Sequence, residues 1–162
     1  MSRIRALIAA IVALCLVAGT APTVRAEDAR VTIVTILAST THQEINDKLK
    51  NLAAEVKKHD PSLTGFKLHD TAIKALNVGQ KESFNLIADA SADVTVLEKY
   101  EAKQRVKLLV KPPLVGEITY TIGYNKFFPI VTRFMSGNDR LIIAIMVQPP
   151  KDKDKDKDSG AT

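Results

Sequence analysis

The three histidines, His42, His59 and His69, are the side chains best suited to metal binding or acid–base chemistry. Two of them precede an aspartate, and imidazole with carboxylate is a ligand set that zinc, manganese and iron accept. A metal-binding pair on a helix needs histidines three or four residues apart, whereas the closest two here are ten apart. His59 also suits the negative end of a helix dipole just before Pro61. The spacing therefore predicts no metal site and no cofactor.

Signatures of nucleophilic catalysis and of phosphate binding are equally weak. No serine lies in a G-x-S-x-G elbow, and the glycines match neither a dinucleotide-binding nor a Walker pattern. Two carboxylate pairs, Asp89 with Asp93 and Glu98 with Glu101, lie among turn residues, and we interpret them as solvated loop acids. The sequence therefore identifies no catalytic residue, and an enzymatic activity is less favoured than a noncatalytic role.

Five of the eight tyrosines and phenylalanines fall within fifteen residues: Tyr120, Tyr124, Phe127, Phe128 and Phe134. Lys126 and Arg133 are interleaved with these rings. One interpretation is that the rings fill the core of a hairpin. The other is that this segment, which contains Pro129, is a free sheet edge that receives a strand or loop of a partner protein. In that case the predicted contact residues are Tyr124, Lys126, Phe127 and Arg133. The absence of tryptophan makes a carbohydrate-stacking platform less favoured.

A strand and a helix must come first in the domain. Residues 31–37 read VTIVTIL, which is typical of a strand buried on both faces. Thr41 and Glu44 have the spacing of a capping box. The helix that they would start carries one apolar stripe and ends at Pro61. The stripe consists of Ile45, Leu49, Leu52, Ala53 and Val56.

From Gly65 onward, apolar residues alternate with mostly polar ones, as in half-buried strands. The alternating sets begin at Phe66, Phe84, Val94, Val106 and Ile118, and Leu76 with Val78 is compatible with a further short strand.

The last part of the domain reads as a hairpin. Pro129 cannot donate a ladder hydrogen bond and favours an edge strand or a bulge. Ser136 to Asp139 predict a turn before a strand from Leu141 to Val147. The sequence thus predicts a single α+β domain over residues 27–150: one strand, one amphipathic helix, then a mainly antiparallel run of short strands that is sheet-like or sandwich-like.

The first 26 residues have the layout of a secretory signal peptide. A basic start precedes an apolar run from Leu7 to Gly19, and Val24 and Ala26 occupy the −3 and −1 places of a V-x-A cleavage site. We predict cleavage between Ala26 and Glu27. The mature chain would then be periplasmic or extracellular and without a membrane span.

Two alternatives to a cleaved signal are less favoured. The first is an uncleaved membrane anchor. It is less favoured because a helix of thirteen apolar residues is only about 20 Å long, whereas the hydrocarbon core of a bilayer is roughly 30 Å thick. A lipoprotein signal acylated at Cys15 is the other, because Leu14 stands where a small residue is expected.

Removal of residues 1–26 would take away three arginines and no acid, which lowers the formal charge from +5 to +2. Without a basic excess, the electrostatic footprint of a nucleic-acid binder is missing. Cys15 is the chain's one cysteine, so a mature protein would depend on a packed core and not on disulfides.

Residues 151–162 read KDKDKDKDSGAT. A helix would place like charges four residues apart, and a strand would place all the lysines on one face and all the aspartates on the other. We predict a disordered, solubilising tail. The alternative is a tether that touches the cell wall or a membrane surface.

Three functions follow as hypotheses. The favoured one is a noncatalytic binding or assembly module of the cell envelope, which contacts an envelope protein through the edge strand. The second is a carrier whose strands enclose a small apolar ligand. The third is a small exported hydrolase in which the fold brings His42, His59 and His69 together with acids.

Overall fold

The structure, a computed structural model, describes residues 28–150, and within them the chain forms eight β-strands and one short α-helix. In chain order the elements are β1 (Ala29–Ser39), α1 (Lys50–His59), β2 (Gly65–Leu76), β3 (Lys81–Asn85), β4 (Ser91–Tyr100), β5 (Arg105–Lys111), β6 (Ile118–Gly123), β7 (Phe127–Ser136) and β8 (Asp139–Gln148). The predicted signal peptide, with its cleavage site at Ala26 and Glu27, and the predicted charged tail lie outside the described residues.

The strands form two four-stranded sheets in which every pair is antiparallel. The first sheet has the order β2-β1-β8-β7, and the second has the order β3-β4-β5-β6. β1 and β8 are the central strands of the first sheet, which explains why both are apolar on both faces. The prediction of one helix and a mainly antiparallel run of strands is confirmed at this level.

The two faces of the first sheet pack against different elements. Ile33 of β1 shares a buried cluster with Phe84 and Leu108 of the second sheet. Its neighbour Val34 belongs to a second cluster, together with Ala53 and Val56 of α1. Because successive residues of a strand point to opposite faces, the second sheet and α1 lie on opposite sides of the first sheet.

Both margins between the two sheets are closed by side chains. On the β2–β3 margin, the Lys74 ammonium donates to the Glu82 carboxylate at 3.0 Å and to the Ser83 carbonyl at 2.8 Å. On the β6–β7 margin, Tyr120 stacks on Phe128 with ring centroids 4.2 Å apart. One margin is therefore polar and the other aromatic, and each joins an edge strand of one sheet to an edge strand of the other.

The helix begins later than the capping box at Thr41 predicts, so that prediction is wrong. The Thr41 hydroxyl is hydrogen bonded to the Ser39 hydroxyl at 2.9 Å, which holds it at the end of β1. Asn46 supplies the side-chain cap instead, since its Oδ1 accepts from the Lys48 N–H at 3.0 Å, ahead of a 3₁₀ turn at Asp47–Leu49.

The end of the helix before Pro61 is confirmed, and an ion pair fixes it to the first sheet. Asp60 accepts hydrogen bonds from the Ser62 hydroxyl at 2.5 Å and from the Arg140 guanidinium of β8 at 2.7 Å. These contacts, first that with Ser62, hold the pKa of Asp60 below its ordinary value of 3.8. Because the pKa is lowered, the carboxylate is ionised and this attachment is present at neutral pH. The attachment weakens as the pH falls below 3.8 and through the lowered pKa of Asp60.

One strand prediction needs correction. Leu76 does not start a separate short strand with Val78 but is the last residue of β2. Val78 forms only an isolated bridge to Val96.

A bulge interrupts β7 close to its hairpin with β8. Residues 132–134 of β7 oppose only Leu141 of β8, so ladder hydrogen bonds are lost at this point. The Thr132 hydroxyl, in a side chain that is almost fully buried, donates to the Leu141 carbonyl at 2.7 Å and accepts from the Phe134 N–H at 3.1 Å. One side chain thus replaces the missing backbone partners and fixes the course of the edge strand.

The variant Thr132→Val is expected to lower the free energy of unfolding by about 1–3 kcal/mol, because an isosteric apolar side chain leaves a buried carbonyl and an amide without their partner. Thr132→Ser keeps the hydroxyl and should be less destabilised. Urea denaturation of both variants at neutral pH measures the difference. A valine variant as stable as the serine variant would contradict the role given to this hydroxyl.

Candidate functional site

Strand β7 exposes a group of large apolar side chains at one edge of the first sheet. Residues 28–150 leave six large apolar side chains exposed, and three of these lie on β7. They are Phe127 at 47%, Phe128 at 37% and Met135 at 48%. An edge strand presents unpaired backbone groups, and adjacent apolar side chains make it a place where another chain can bind.

The four residues predicted as partner contacts are divided between this edge and the core. Lys126 and Phe127 are exposed at the start of the strand, and Arg133 is exposed within the bulge. Tyr124 is only 8% exposed and belongs to the cluster between the sheets, so it supports the strand from inside and does not face a partner. Asn125 turns the chain with φ at 59°, and its N–H is bonded to a β8 carbonyl at 2.8 Å.

The backbone of β7 is poorly suited to a long added strand. Pro129 has no N–H to donate, and the bulge at residues 132–134 breaks the regular ladder. An incoming strand would find regular geometry over only a few residues. Side chains, more than a continuous ladder, must therefore supply most of any binding energy at this edge.

The hydroxyls of Tyr120 and Tyr124 are buried beneath this edge. Among the described residues, neither hydroxyl has a hydrogen-bond partner. Burial raises the pKa of Tyr120 far above its ordinary value of 10. Burial, with the negative charge of Glu101 as a second cause, also raises the pKa of Tyr124. Both phenols therefore remain protonated at neutral pH, and each carries the cost of a buried polar atom without a partner.

The face of the first sheet that packs against α1 is only partly covered by the helix. Ile36 and Ile142 lie in the cluster under the helix. The strand registers place Ile73, Thr32, Met146 and Phe127 in another row across all four strands, and none of these four belongs to that cluster. The two ends of this row, Ile73 and Phe127, are the exposed ones, at 57% and 47%.

A pocket of about 270 Å³ lies between this face of the sheet and the start of α1, and most of the sheet residues that line it belong to the cluster under the helix. Val34 and Ala144 contribute from the sheet, Leu49 and Leu52 from the helix region, and Phe127 from the edge strand. Lys48 is the charged residue of the lining. The carrier hypothesis expected a space between facing strands, whereas this pocket lies on the opposite side of the first sheet from the second sheet.

The three histidines lie in separate parts of the fold and are all exposed. His42 follows β1 and packs against Gly65 so closely that a Cβ there would lie 2.1 Å from its Nδ1. His59 ends α1, with its Nε2 3.9 Å from the Glu55 carboxylate, and His69 is the residue of β2 that has no partner in β1. Between residues 28 and 150, no three histidine, cysteine or acidic residues are grouped as a metal ion requires.

In each carboxylate pair of the sequence, one acid binds a lysine or a tyrosine. Asp93 is 2.7 Å from the Lys81 ammonium, and the hydrogen bond from Lys81 is the main reason that the pKa of Asp93 is lowered. Glu98 accepts from the Tyr100 hydroxyl, which is the main cause of its lowered pKa, and lies 3.6 Å from Lys107. These acids are ionised partners in surface contacts.

The sequence pattern does not single out Lys48 as a residue of the pocket lining. Lys48 gains its position from the late start of the helix, which the sequence pattern did not predict.

Comparisons of the chain with protein-family models, with curated proteins and with solved structures found no match. Within the described part of the chain, no helix is both long and apolar enough to cross a membrane.

The variant Tyr120→Phe is expected to unfold with a free energy equal to or about 1 kcal/mol greater than that of the parent, because it removes a buried hydroxyl without a partner and keeps the ring that stacks on Phe128. Tyr100→Phe is the matched control, since its hydroxyl donates to Glu98 and its loss should not stabilise the protein. Thermal and urea unfolding measure both variants. A marked loss of stability in Tyr120→Phe would show that the hydroxyl has a partner.

Proposed function

We propose that this chain is an exported, noncatalytic binding module of the cell envelope, which binds a partner protein at the edge strand β7. The observation that carries the proposal is the exposure of Phe127, Phe128 and Met135 on one edge strand. Edge strands are normally protected by charges, so large apolar side chains left exposed along an edge favour an interaction site there, and we call these three side chains the patch. A partner that covers these side chains removes them from water.

The charges around the patch favour a partner segment with acidic residues. Lys126 precedes the strand, and Arg133 stands in the bulge with an exposed guanidinium. Aromatic residues and arginine are the types that contribute most at protein interfaces. An extended or looped segment with apolar residues between acids would complement this surface.

Packing beneath the patch supports a preformed site. Phe128 is stacked on Tyr120, and the bulge is held by the two hydrogen bonds of Thr132. A side chain that is already ordered loses less conformational entropy when a partner binds. For the scaffold we infer the α+β class with the two sheets packed as a sandwich, which the shared core cluster and the two closed margins support.

Export can be tested directly on the full chain. Expression in a bacterium should yield, outside the cytoplasm, a form whose N-terminal residue is Glu27, as measured by intact mass and N-terminal sequencing. Ala26→Arg should block processing, because signal peptidase requires a small side chain at the −1 place. Arg25→Ala is the matched control at the −2 place, where a small side chain is not required. Retention of the full-length parent in the cytoplasm would contradict export.

Partner binding can be tested by crosslinking from a single position. A photoreactive phenylalanine analogue in place of Phe127 should give a discrete product in intact cell envelopes, and Arg133→Ala should reduce its yield by about tenfold, the loss expected when a central interface side chain is removed. The same analogue at Leu114 is the control, because this residue is 67% exposed and lies between β5 and β6 of the second sheet. Identical products from both positions, or none from position 127, would contradict the proposal.

A further inference from the structure

The pocket beside α1 combines an apolar lining with a single cation. Its walls include the aliphatic side chains of Val34, Leu49, Leu52 and Leu68, which come from the sheet and from the start of the helix. Lys48 is the charged residue of the lining, and Thr71 adds a hydroxyl. A site of this composition fits a ligand that is apolar along most of its length and charged at one end.

The positive charge at the pocket is not neutralised by nearby acids. The adjacent Asp47 carboxylate is 2.7 Å from the Lys50 ammonium, whereas Lys48 forms no ion pair within residues 28–150. Lys48 also lies two residues before Lys50, the first residue of α1, and the helix dipole is positive at that end. Both contributions favour an anionic head group over a neutral or cationic one.

The size of the pocket limits the ligand. A volume of about 270 Å³ is just below the range of roughly 300–1,000 Å³ that is typical of sites for drug-sized molecules. A single hydrocarbon chain of moderate length fits this space better than a ring system or a two-chain lipid.

We propose that this pocket binds a medium-chain carboxylate, with the hydrocarbon chain between α1 and the first sheet and the carboxylate at the Lys48 ammonium. The pocket shares one residue, Phe127, with the edge that is proposed to bind a partner protein at β7. Its occupant is a small amphiphile and not a second copy of the chain, because a single cation beside an apolar pocket of about 270 Å³ matches one head group on one hydrocarbon chain.

The chain contains no tryptophan, so Phe127→Trp in the full-length protein introduces a single fluorescent reporter in the pocket wall. In a titration of this variant with octanoate, the tryptophan fluorescence is expected to change until it reaches a plateau. From hexanoate to octanoate the affinity should rise about fourfold for each added methylene, the equivalent of about 0.8 kcal/mol per buried methylene. The affinity should stop rising once the hydrocarbon chain of the ligand is longer than the pocket. Octylammonium should bind more weakly than octanoate.

Two variants separate the charge from the cavity. Lys48→Gln should weaken octanoate binding about two- to fivefold, the range for an exposed ion pair, and leave octanol binding unchanged. Lys58→Gln is the matched control, since this lysine lies at the other end of α1 and is paired with Glu55 at 2.7 Å. Thr71→Phe, at an exposed position of the lining, should fill the pocket and remove saturable binding, with circular dichroism as the check on folding.

The proposal is overturned by the lack of a saturable signal with millimolar octanoate, by equal binding of octanoate and octylammonium, or by the lack of any effect of Lys48→Gln. A signal that depends on protein concentration and not on ligand, with dimers in sedimentation, would assign the pocket to a second copy and would also overturn it. None of these outcomes affects the test of partner binding, which depends on Arg133 and on crosslinking at the edge.

Discussion

The pairing of β1 with β8 is the interaction on which the rest of the structure depends. The two strands are aligned from Arg30 opposite Gln148 to Ala38 opposite Arg140, so the first and last described strands lie side by side at the centre of one sheet. Their alternate residues serve two different clusters, one shared with the second sheet and one shared with α1. Since each fully buried aliphatic side chain contributes about 1.5–3 kcal/mol, a central pair buried on both faces provides a large part of the driving force for folding.

This arrangement leaves particular surfaces open. With β1 and β8 in the middle, β2 and β7 become the edges of the first sheet. The helix has only ten residues and packs over part of the sheet face, which leaves the row from Ile73 to Phe127 outside its cluster. The exposed edge is therefore a consequence of the central pair, and the pocket forms where the short helix packs over the sheet. They meet at Phe127, which belongs to both surfaces.

Local patterns were sufficient to predict the elements, but not the surroundings of individual side chains. Alternation identified the strands from Phe66 to Ile122 because one face of each is buried, and Pro61 fixed the end of the helix because proline cannot continue it. The start of the helix was predicted wrongly, because the hydrogen bond between Ser39 and Thr41 forms only when β1 ends at that point. The burial of Tyr124 and the formation of the pocket depend on which strands are neighbours, and this is decided by contacts between distant parts of the chain.

The edge strand combines protection with exposure, and the combination supports the proposed binding of a partner protein. Pro129 and the bulge oppose the addition of a long strand, which limits aggregation through backbone pairing. Phe127, Phe128 and Met135 nevertheless remain exposed on the same strand. In the proposed function, such a surface resists unselective strand pairing and would select partners by the complementarity of their side chains. The stack of Tyr120 on Phe128 holds the Phe128 ring in place, because it joins the edge strand of one sheet to the edge strand of the other.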